Sequence, residues 1–535
     1  MISENAGRLP QFSRSASKHF IMALCTLYVI SIQLPLLSPY REIGSDEQII
    51  GDAIYSLASG RRLIPAGYIY AHIIPRSEEY YAAYPPLYLY FTAGWVSVFG
   101  FSAVTIGAMH AVLRLSTALL LFYCCRRIGL PAWTSSLLAA LWATALNLES
   151  YHLIRYEDLA LLFLVAGCFV LLGRGSSLSR YIISGIYLGC VLLTYSTYLA
   201  PLICFLLLLD EHVHLHADKG WFRFVRVCGA LFISAGVVAA LWLLWIIPNL
   251  EAFKSYFIDF GLPDARTPSF LASFQQFGEL VVFGTYATPF PMHYSSLPLI
   301  ALVAVLALKD SQSGRHWSIM VVIAYVALSW LLLAQIRIHS YNFAWFLAGL
   351  IIMGIVLLGR TGVRVIKRHD WAIVVVCVVW FGYQAAGRVA LATVNVVADV
   401  IGVEAKGVAP HADLLSLVPP GDKVIARQGV VFYALRPTNP IYWPAGLYGV
   451  TPGQYQFATT YDDTYQWLVL TSDLHSPDFT ENPGAKFAWN DATLGYFRAN
   501  YRLVASSHIA KDWPLARFSS VTSSLYLYKY TGGTG

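Results

Sequence analysis

The sequence predicts a mostly α, polytopic membrane protein with a small C-terminal α/β domain outside the membrane. Three observations carry this. The chain has 535 residues, 57% of them hydrophobic and only 12% charged, which is more apolar surface than a soluble fold of this size hides. The apolar residues fall in long runs with few charges, such as "FRFVRVCGALFISAGVVAALWLLWIIPNL", and such runs read as transmembrane helices. From about residue 388 the runs give way to short apolar stretches between turn-rich polar segments such as "RPTNP" and "HSPDFTENPG", the pattern of a water-exposed domain.

The spans follow in order. Arg8, Arg14 and Lys18 precede Phe20–Leu37, a run that is long and lacks a small-x-small cleavage site, so it reads as an uncleaved first span with the N-terminus in the cytoplasm. Pro85–Phe99 is short and opens on Pro85-Pro86, and a crossing there would put Arg126-Arg127 outside. It is expected to lie in the outer interface, a level that suits Tyr80, Tyr81, Tyr84, Tyr88 and Tyr90. The further spans are Val104–Cys124, Pro131–Leu148, Leu159–Leu172, Tyr181–Leu193, Tyr198–Leu209, Phe224–Ile247, Ser296–Leu308, Ile319–Ala334, Phe343–Leu358 and Trp371–Tyr383. That gives about eleven spans, keeps the basic loops inside, and leaves the C-terminus outside the plasma (inner) membrane.

The membrane domain is thus 1–387, with its first outer loop at about 38–103, and the soluble domain is 388–535. Within the latter, "LLSLVPPGDKVIARQGVVFYAL" reads as helix, turn, strand, and "QWLVLTS" and "SLYLYKY" read as strands. The eight cysteines all lie in or beside apolar runs, so no disulfide framework is expected in the soluble domain. A net charge of +6 is too small to imply a nucleic-acid partner.

Three charged clusters share the outer face. They are Asp46-Glu47; Arg155, Glu157 and Asp158; and Arg337, His339 and Tyr341. Ionisable groups at the membrane boundary are costly unless they face a cavity or pair with one another. Each cluster alone reads equally well as a solvated loop flank. Together they favour a shared site. Glycosyl transfer from a polyprenyl-phosphate sugar fits such a site. The phosphate leaves without a general acid, arginines stabilise its charge, and one carboxylate activates the acceptor hydroxyl. A single base with attack from the opposite face predicts inversion at the sugar carbon.

Four short elements, in order, carry a resemblance. They are "SDEQIIGDAIYSLASGRRLIP", "YPPLYLYFTAGWVSVFG", "VLRLSTALLLFYCCRRIG" and "RYEDLALLF". The chain resembles the GT-C glycosyltransferases of the protein-mannosyltransferase and aminoarabinose-transferase type (glycosyltransferase family 39-like). The resemblance implies that Asp46 is the base and that Glu47 supports it or contacts the acceptor. It implies that Arg155 and Asp158 shape the donor pocket. Arg337, Tyr341 and His339 would meet the lipid phosphate, although "RIHSYNFAWFLAGL" lacks the proline usual after the tyrosine. Tyr84, just before the interfacial helix, is a further expected substrate contact. The implied partners are a polyprenyl-phosphate sugar donor, an extracytoplasmic acceptor and membrane lipid. No cofactor is assigned, and no ligand spacing decides for or against a divalent metal ion.

Other signals weigh less. His212, His214 and His216 alternate, but on the cytoplasmic side. Asp462-Asp463 reads as a solvated turn, and Glu78, Glu79, Arg41, Arg61 and Arg62 read as loop charges near the site. Arg114 lies inside an apolar run and needs a partner; bracing two helices is favoured over reaching the outer cavity. Two rival functions remain: a transporter or flippase of a polyprenyl-linked glycan, and a non-catalytic binding subunit. Paired halves and midplane helix breaks, expected of a transporter, are not evident.

Overall fold

The computed structural model describes residues 14–37, 45–60, 86–147, 156–173, 178–194, 202–216, 221–254, 297–313, 317–335, 340–361, 410–426, 429–442, 465–477, 491–508 and 524–532, with the isolated positions 275, 278, 393, 397 and 479. The described residues of the membrane part are helices joined by short turns. Its elements are α1 (Arg14–Ser31), α2 (Ser45–Ala58), α3 (Leu87–Phe99), α4 (Ala103–Arg127), α5 (Ala132–Asn147), α6 (Glu157–Leu171), α7 (Leu178–Thr194), α8 (Leu202–His216), α9 (Trp221–Ile246), α10 (Leu250–Lys254), α11 (Leu297–Gln312), α12 (Trp317–Gln335) and α13 (Ser340–Thr361). Each expected span from Phe20–Leu37 to Phe343–Leu358 forms a helix, the first closing on a 3-10 turn at Leu34–Leu37. Trp371–Tyr383 lies outside the described residues.

α4 is the ruler of the fold. Ser102 starts it by accepting the Thr105 N–H at 3.1 Å, the usual work of an N-cap. Arg126 and Arg127 fill its last turn, where the helix dipole favours cations, and Gly129 then leaves with φ 94°. Its 25 residues span about 37 Å at 1.5 Å per residue, enough to cross a bilayer.

Contacts along α4 fix the direction of its neighbours. Asp158, at the start of α6, bonds to Arg114; further along, Cys124 Sγ lies 3.8 Å from the Val165 carbonyl, and Arg127 Nη1 donates to the Phe169 carbonyl. The two helices are therefore parallel. A β-carbon on Gly107 would overlap the Leu36 carbonyl, so the turn after α1 meets α4 near its beginning. The first loop accordingly leaves and returns on one face, with α2 and α3 inside it. α3 lies beside only the opening turns of α4, with Trp95 Nε1 donating to the Thr105 carbonyl at 3.0 Å and Tyr88 Oη 2.9 Å from His110 Nε2. Its 13 residues reach about 20 Å, short of the opposite face.

That opposite face gathers the basic residues. Arg180 Nη1 donates to the Gly173 carbonyl beside Arg127, and a β-carbon on Gly359 would overlap Ile128. Next to it, Arg360 reaches Asp310 and Asp210, both at 3.2 Å, and the Leu207 carbonyl at 2.8 Å. The ends of α4, α6, α11 and α13 thus meet there.

α7 and α9 pack through a glycine seam. A β-carbon at Gly185 would overlap Ser234 Oγ and the Leu231 carbonyl, and one at Gly189 would lie 2.6 Å from the Ala235 carbonyl. Small residues four apart let two backbones approach, as in membrane helix pairs. Outside the bundle, α9 presents Ile233, Val237, Leu241 and Leu244 to the surroundings. Among the described residues, Ala103–Arg127 and Val225–Leu244 are long and apolar enough to cross a membrane; the other apolar helices are shorter. An apolar surface so continuous is a liability in water and costs nothing in hydrocarbon. Seven cysteines, all in this part, are free; Cys377 lies outside the described residues.

The C-terminal part holds α14 (Pro410–Leu415), β1 (Val424–Ile425), α15 (Gly429–Leu435), β2 (Ile441–Tyr442), β3 (Trp467–Leu470), α16 (Asp491–Asn500), β4 (Tyr501–His508) and β5 (Ser524–Tyr530). The sheet order is β2-β1-β3-β5-β4. β1 runs parallel to β2 and β3, while β5 is antiparallel to β3 and β4. Apolar cores form around Val424, Phe432, Trp467 and Leu527, and around Leu468, Phe497, Tyr501 and Tyr528. The helix, turn and strand expected of "LLSLVPPGDKVIARQGVVFYAL" form in that order, but the strand is only Val424–Ile425; "GVVFYAL" at its end is a helix, with Val431, Phe432 and Leu435 buried at helical spacing.

Candidate active site at the mouth of the bundle

Asp46 and Glu47 occupy the first turn of α2. The helix is held from below: Ile50, Ala53 and Ile54 pack with Tyr88, Leu89, Ala93 and Val96 of α3 and with Ile106 and Met109 of α4. The partial positive charge of a helix N-terminus favours carboxylates there. The side chains of Asp46 and Glu47 lie outside the described residues, as do the Tyr341 side chain and the whole of Tyr84, Arg155, Arg337 and His339. Glu78, Glu79, Arg41, Arg61, Arg62, Asp462 and Asp463 also lie outside them, as do the side chains of His212, His214 and His216.

Asp158 is described, and it is held. Its Oδ2 accepts from Arg114 Nε at 2.8 Å and lies 2.7 Å from His110 Nδ1. With the proton on Nδ1, His110 donates to Asp158, and its Nε2 accepts from the Tyr88 hydroxyl. The Tyr88 ring meets Tyr156 edge-on, with centroids 6.1 Å apart. All of these side chains are buried. The chain ties α3, α4 and α6 together at the level where α2 is seated. Arg114 braces two helices, as the sequence favoured. Tyr88 is buried rather than a surface anchor. Sequence reasoning missed His110, yet a signal was present: His110 and Arg114 are four apart in an apolar run, hence on one helix face.

A second buried pair sits at the middle of the loop helix. Arg436 Nε, just past α15, donates to Asp52 Oδ1 of α2, and both side chains are at most 4% exposed. The Tyr55 hydroxyl donates to the Pro437 carbonyl at 3.0 Å. Nothing in the sequence links these residues, which are 384 positions apart. They place the C-terminal domain on the same face as the first loop, opposite the basic face. Among the described residues, no three His, Cys, Asp or Glu side chains are grouped to hold a metal ion.

No protein-family model matches the chain, and no curated protein matches it. Solved structures do. ArnT from Cupriavidus metallidurans, bound to undecaprenyl phosphate, superposes with a TM-score of 0.54 at 14% identity, covering 98% of this chain and 100% of that one. An oligosaccharyltransferase from Archaeoglobus fulgidus, tethered to an acceptor peptide, gives 0.47 at 12% identity over 94% and 80%. The first of these shows the fold: the chain folds as ArnT does.

Proposed function

We propose that this chain is an inverting glycosyltransferase of the plasma membrane that moves a sugar from a polyprenyl-phosphate donor to an acceptor outside the cytoplasm. One observation carries the reading. In a GT-C fold, an adjacent acid pair opens the helix of the first loop, on the face away from the basic helix ends. ArnT, the fold's relative, was solved with undecaprenyl phosphate, a lipid of the class proposed here as leaving group.

In this mechanism Asp46 takes the proton of the acceptor hydroxyl. The acceptor oxygen attacks the anomeric carbon from the side opposite the phosphate. The bond from that carbon to the phosphate oxygen breaks, its electron pair stays on oxygen, and polyprenyl phosphate leaves as an anion. Glu47 supports the base. Arg337, Tyr341 and His339 meet the phosphate, whose growing charge gains most from guanidinium donors. Arg155 and Asp158 line the donor pocket, Asp158 being fixed from behind by Arg114 and His110, and Tyr84 contacts substrate. The N-terminus is cytoplasmic, and the C-terminal domain covers the outer mouth of the site.

The test is Asp46→Asn in purified enzyme given lipid-linked donor and an envelope extract from a deletion strain. Release of polyprenyl phosphate should fall about 10²–10⁴-fold, the usual share of a general base. Release near the wild-type rate rejects the base. If intact donor crosses the bilayer with no release, the transporter reading replaces this one.

A further inference from the structure

The geometry points to the C-terminal domain as a positioning device for the helix that bears the acid pair, acting through Asp52, Tyr55 and Arg436. This rests on the transferase reading above and deepens it. α2 is gripped at its middle from the soluble side: Arg436 donates to Asp52 while its guanidinium lies 4.6 Å over the Tyr55 ring. The Tyr55 hydroxyl holds the Pro437 carbonyl. Tyr55 also meets Phe101 edge-on at 5.0 Å, and Phe101 touches Phe432 and Tyr433 of α15 at 5.9 and 5.3 Å. One arginine and one aromatic cluster thus join α2, the α3–α4 turn and the domain.

The leverage follows from helix geometry. Asp46 is six residues from Asp52, about 9 Å along the axis at 1.5 Å per residue. A tilt of about 6° around the grip therefore moves the first turn by about 1 Å. A displacement of that size at a reacting group can cost about 10²-fold in rate. The ion pair of the grip is also buried, which makes it rigid: a buried ion pair that also hydrogen-bonds holds orientation more tightly than a solvated one. Asp52, Tyr55 and Arg436 are positioning residues, since they act through α2.

The experiment compares Arg436→Lys, Tyr55→Phe and the double variant as full-length enzyme. Arg436→Lys keeps a cation against buried Asp52, so the fold is retained, but an ammonium cannot donate from a fixed fork and stack on Tyr55 together. The expected result is a kcat about tenfold lower for Arg436→Lys and a larger loss for the double, with donor KM within twofold and melting temperature near wild type. A role in stability alone would instead lower the folded fraction and leave kcat per folded molecule unchanged. If kcat per folded molecule in Arg436→Lys stays within threefold of wild type, the proposal is overturned; a larger loss upholds it. Hydrogen exchange over residues 45–49 gives a readout independent of the reaction. Exchange there should speed up about tenfold in Arg436→Lys, and unchanged exchange also overturns the proposal. If wild-type enzyme releases no polyprenyl phosphate, the transferase reading falls, and the grip on α2 is judged on exchange alone.

Discussion

Arg114→Leu is the sharpest perturbation of the bundle. Arg114 is 8% exposed and its partner Asp158 7%. Without Arg114, Asp158 Oδ2 loses the donor at 2.8 Å and keeps, among the described residues, His110 at 2.7 Å. Removing one member of a buried pair leaves an uncompensated charge and costs about 3–5 kcal/mol. At roughly 2 °C per kcal/mol for a large domain, that is a fall of about 6–10 °C in melting temperature. The same rule predicts recovery: Arg114→Leu/Asp158→Leu removes both charges and should regain most of the loss. Thermal unfolding of detergent-solubilised protein, followed by tryptophan fluorescence, reads both variants. The brace would be refuted if the single variant melted within about 2 °C of wild type, or if the double were no more stable than the single.

Three further outcomes are expected. Gly185→Leu forces a side chain into Ser234 and the Leu231 carbonyl, so α7 and α9 must separate; size-exclusion chromatography should show loss of the monodisperse peak, while Gly236→Ala, with nothing within 4 Å, keeps it. Arg360→Met takes the guanidinium from the buried Asp310, which is 1% exposed and keeps the Ser318 hydroxyl, and should lower the yield of folded protein, whereas Arg360→Met/Asp310→Leu restores it. In the sheet domain, the His475 N–H and the Tyr528 hydroxyl hold the Asp473 carboxyl below its usual range. A lowered carboxyl stabilises above its unfolded value, near about 4, and that contribution disappears as pH falls through the folded value. Asp473→Asn should therefore lose melting temperature less steeply than wild type as pH falls below about 4, as read by circular dichroism.

The helices were legible because apolar runs of spanning length have few alternative fates. The parallel course of α4 and α6 was legible too, since it follows from the placing of basic loops. "GVVFYAL" was not: a short apolar run suits a buried strand or a buried helix, and only its partners decide. β4 was missed because its buried positions do not alternate; it lies at the sheet edge, and its register shifts between Leu503 and Ala505. At the site, the acid pair announced itself by position at the membrane boundary. Asp52 stands only six residues on, inside the same quoted stretch, yet carried no such signal. Its meaning depends on an arginine 384 residues away, and no local pattern encodes that pairing.

The polar contacts also explain how the bundle holds its arrangement. Between helices in hydrocarbon the hydrophobic effect is weak, because lipid tails are as apolar as leucine, so association relies on close packing and interhelical hydrogen bonds. This chain divides the two tasks by location. α7 and α9 use the glycine seam at Gly185 and Gly189. The middle of α4 is tied to the start of α6 through Arg114, His110 and Asp158, and α8, α11 and α13 are tied towards the basic face through Arg360, Asp210 and Asp310. The tie at Arg360 stands near helix ends, where its desolvation cost is lower than at the midplane, whereas the tie at Asp158 joins the first turn of α6 to the middle of α4 and is balanced there by its buried partners; each links segments distant in sequence. The first loop is the exception: its short α2 and α3 cannot be stapled at two faces, because they touch only one. A helix with one anchored side needs a second hold from the aqueous side, and the sheet domain supplies it through Arg436.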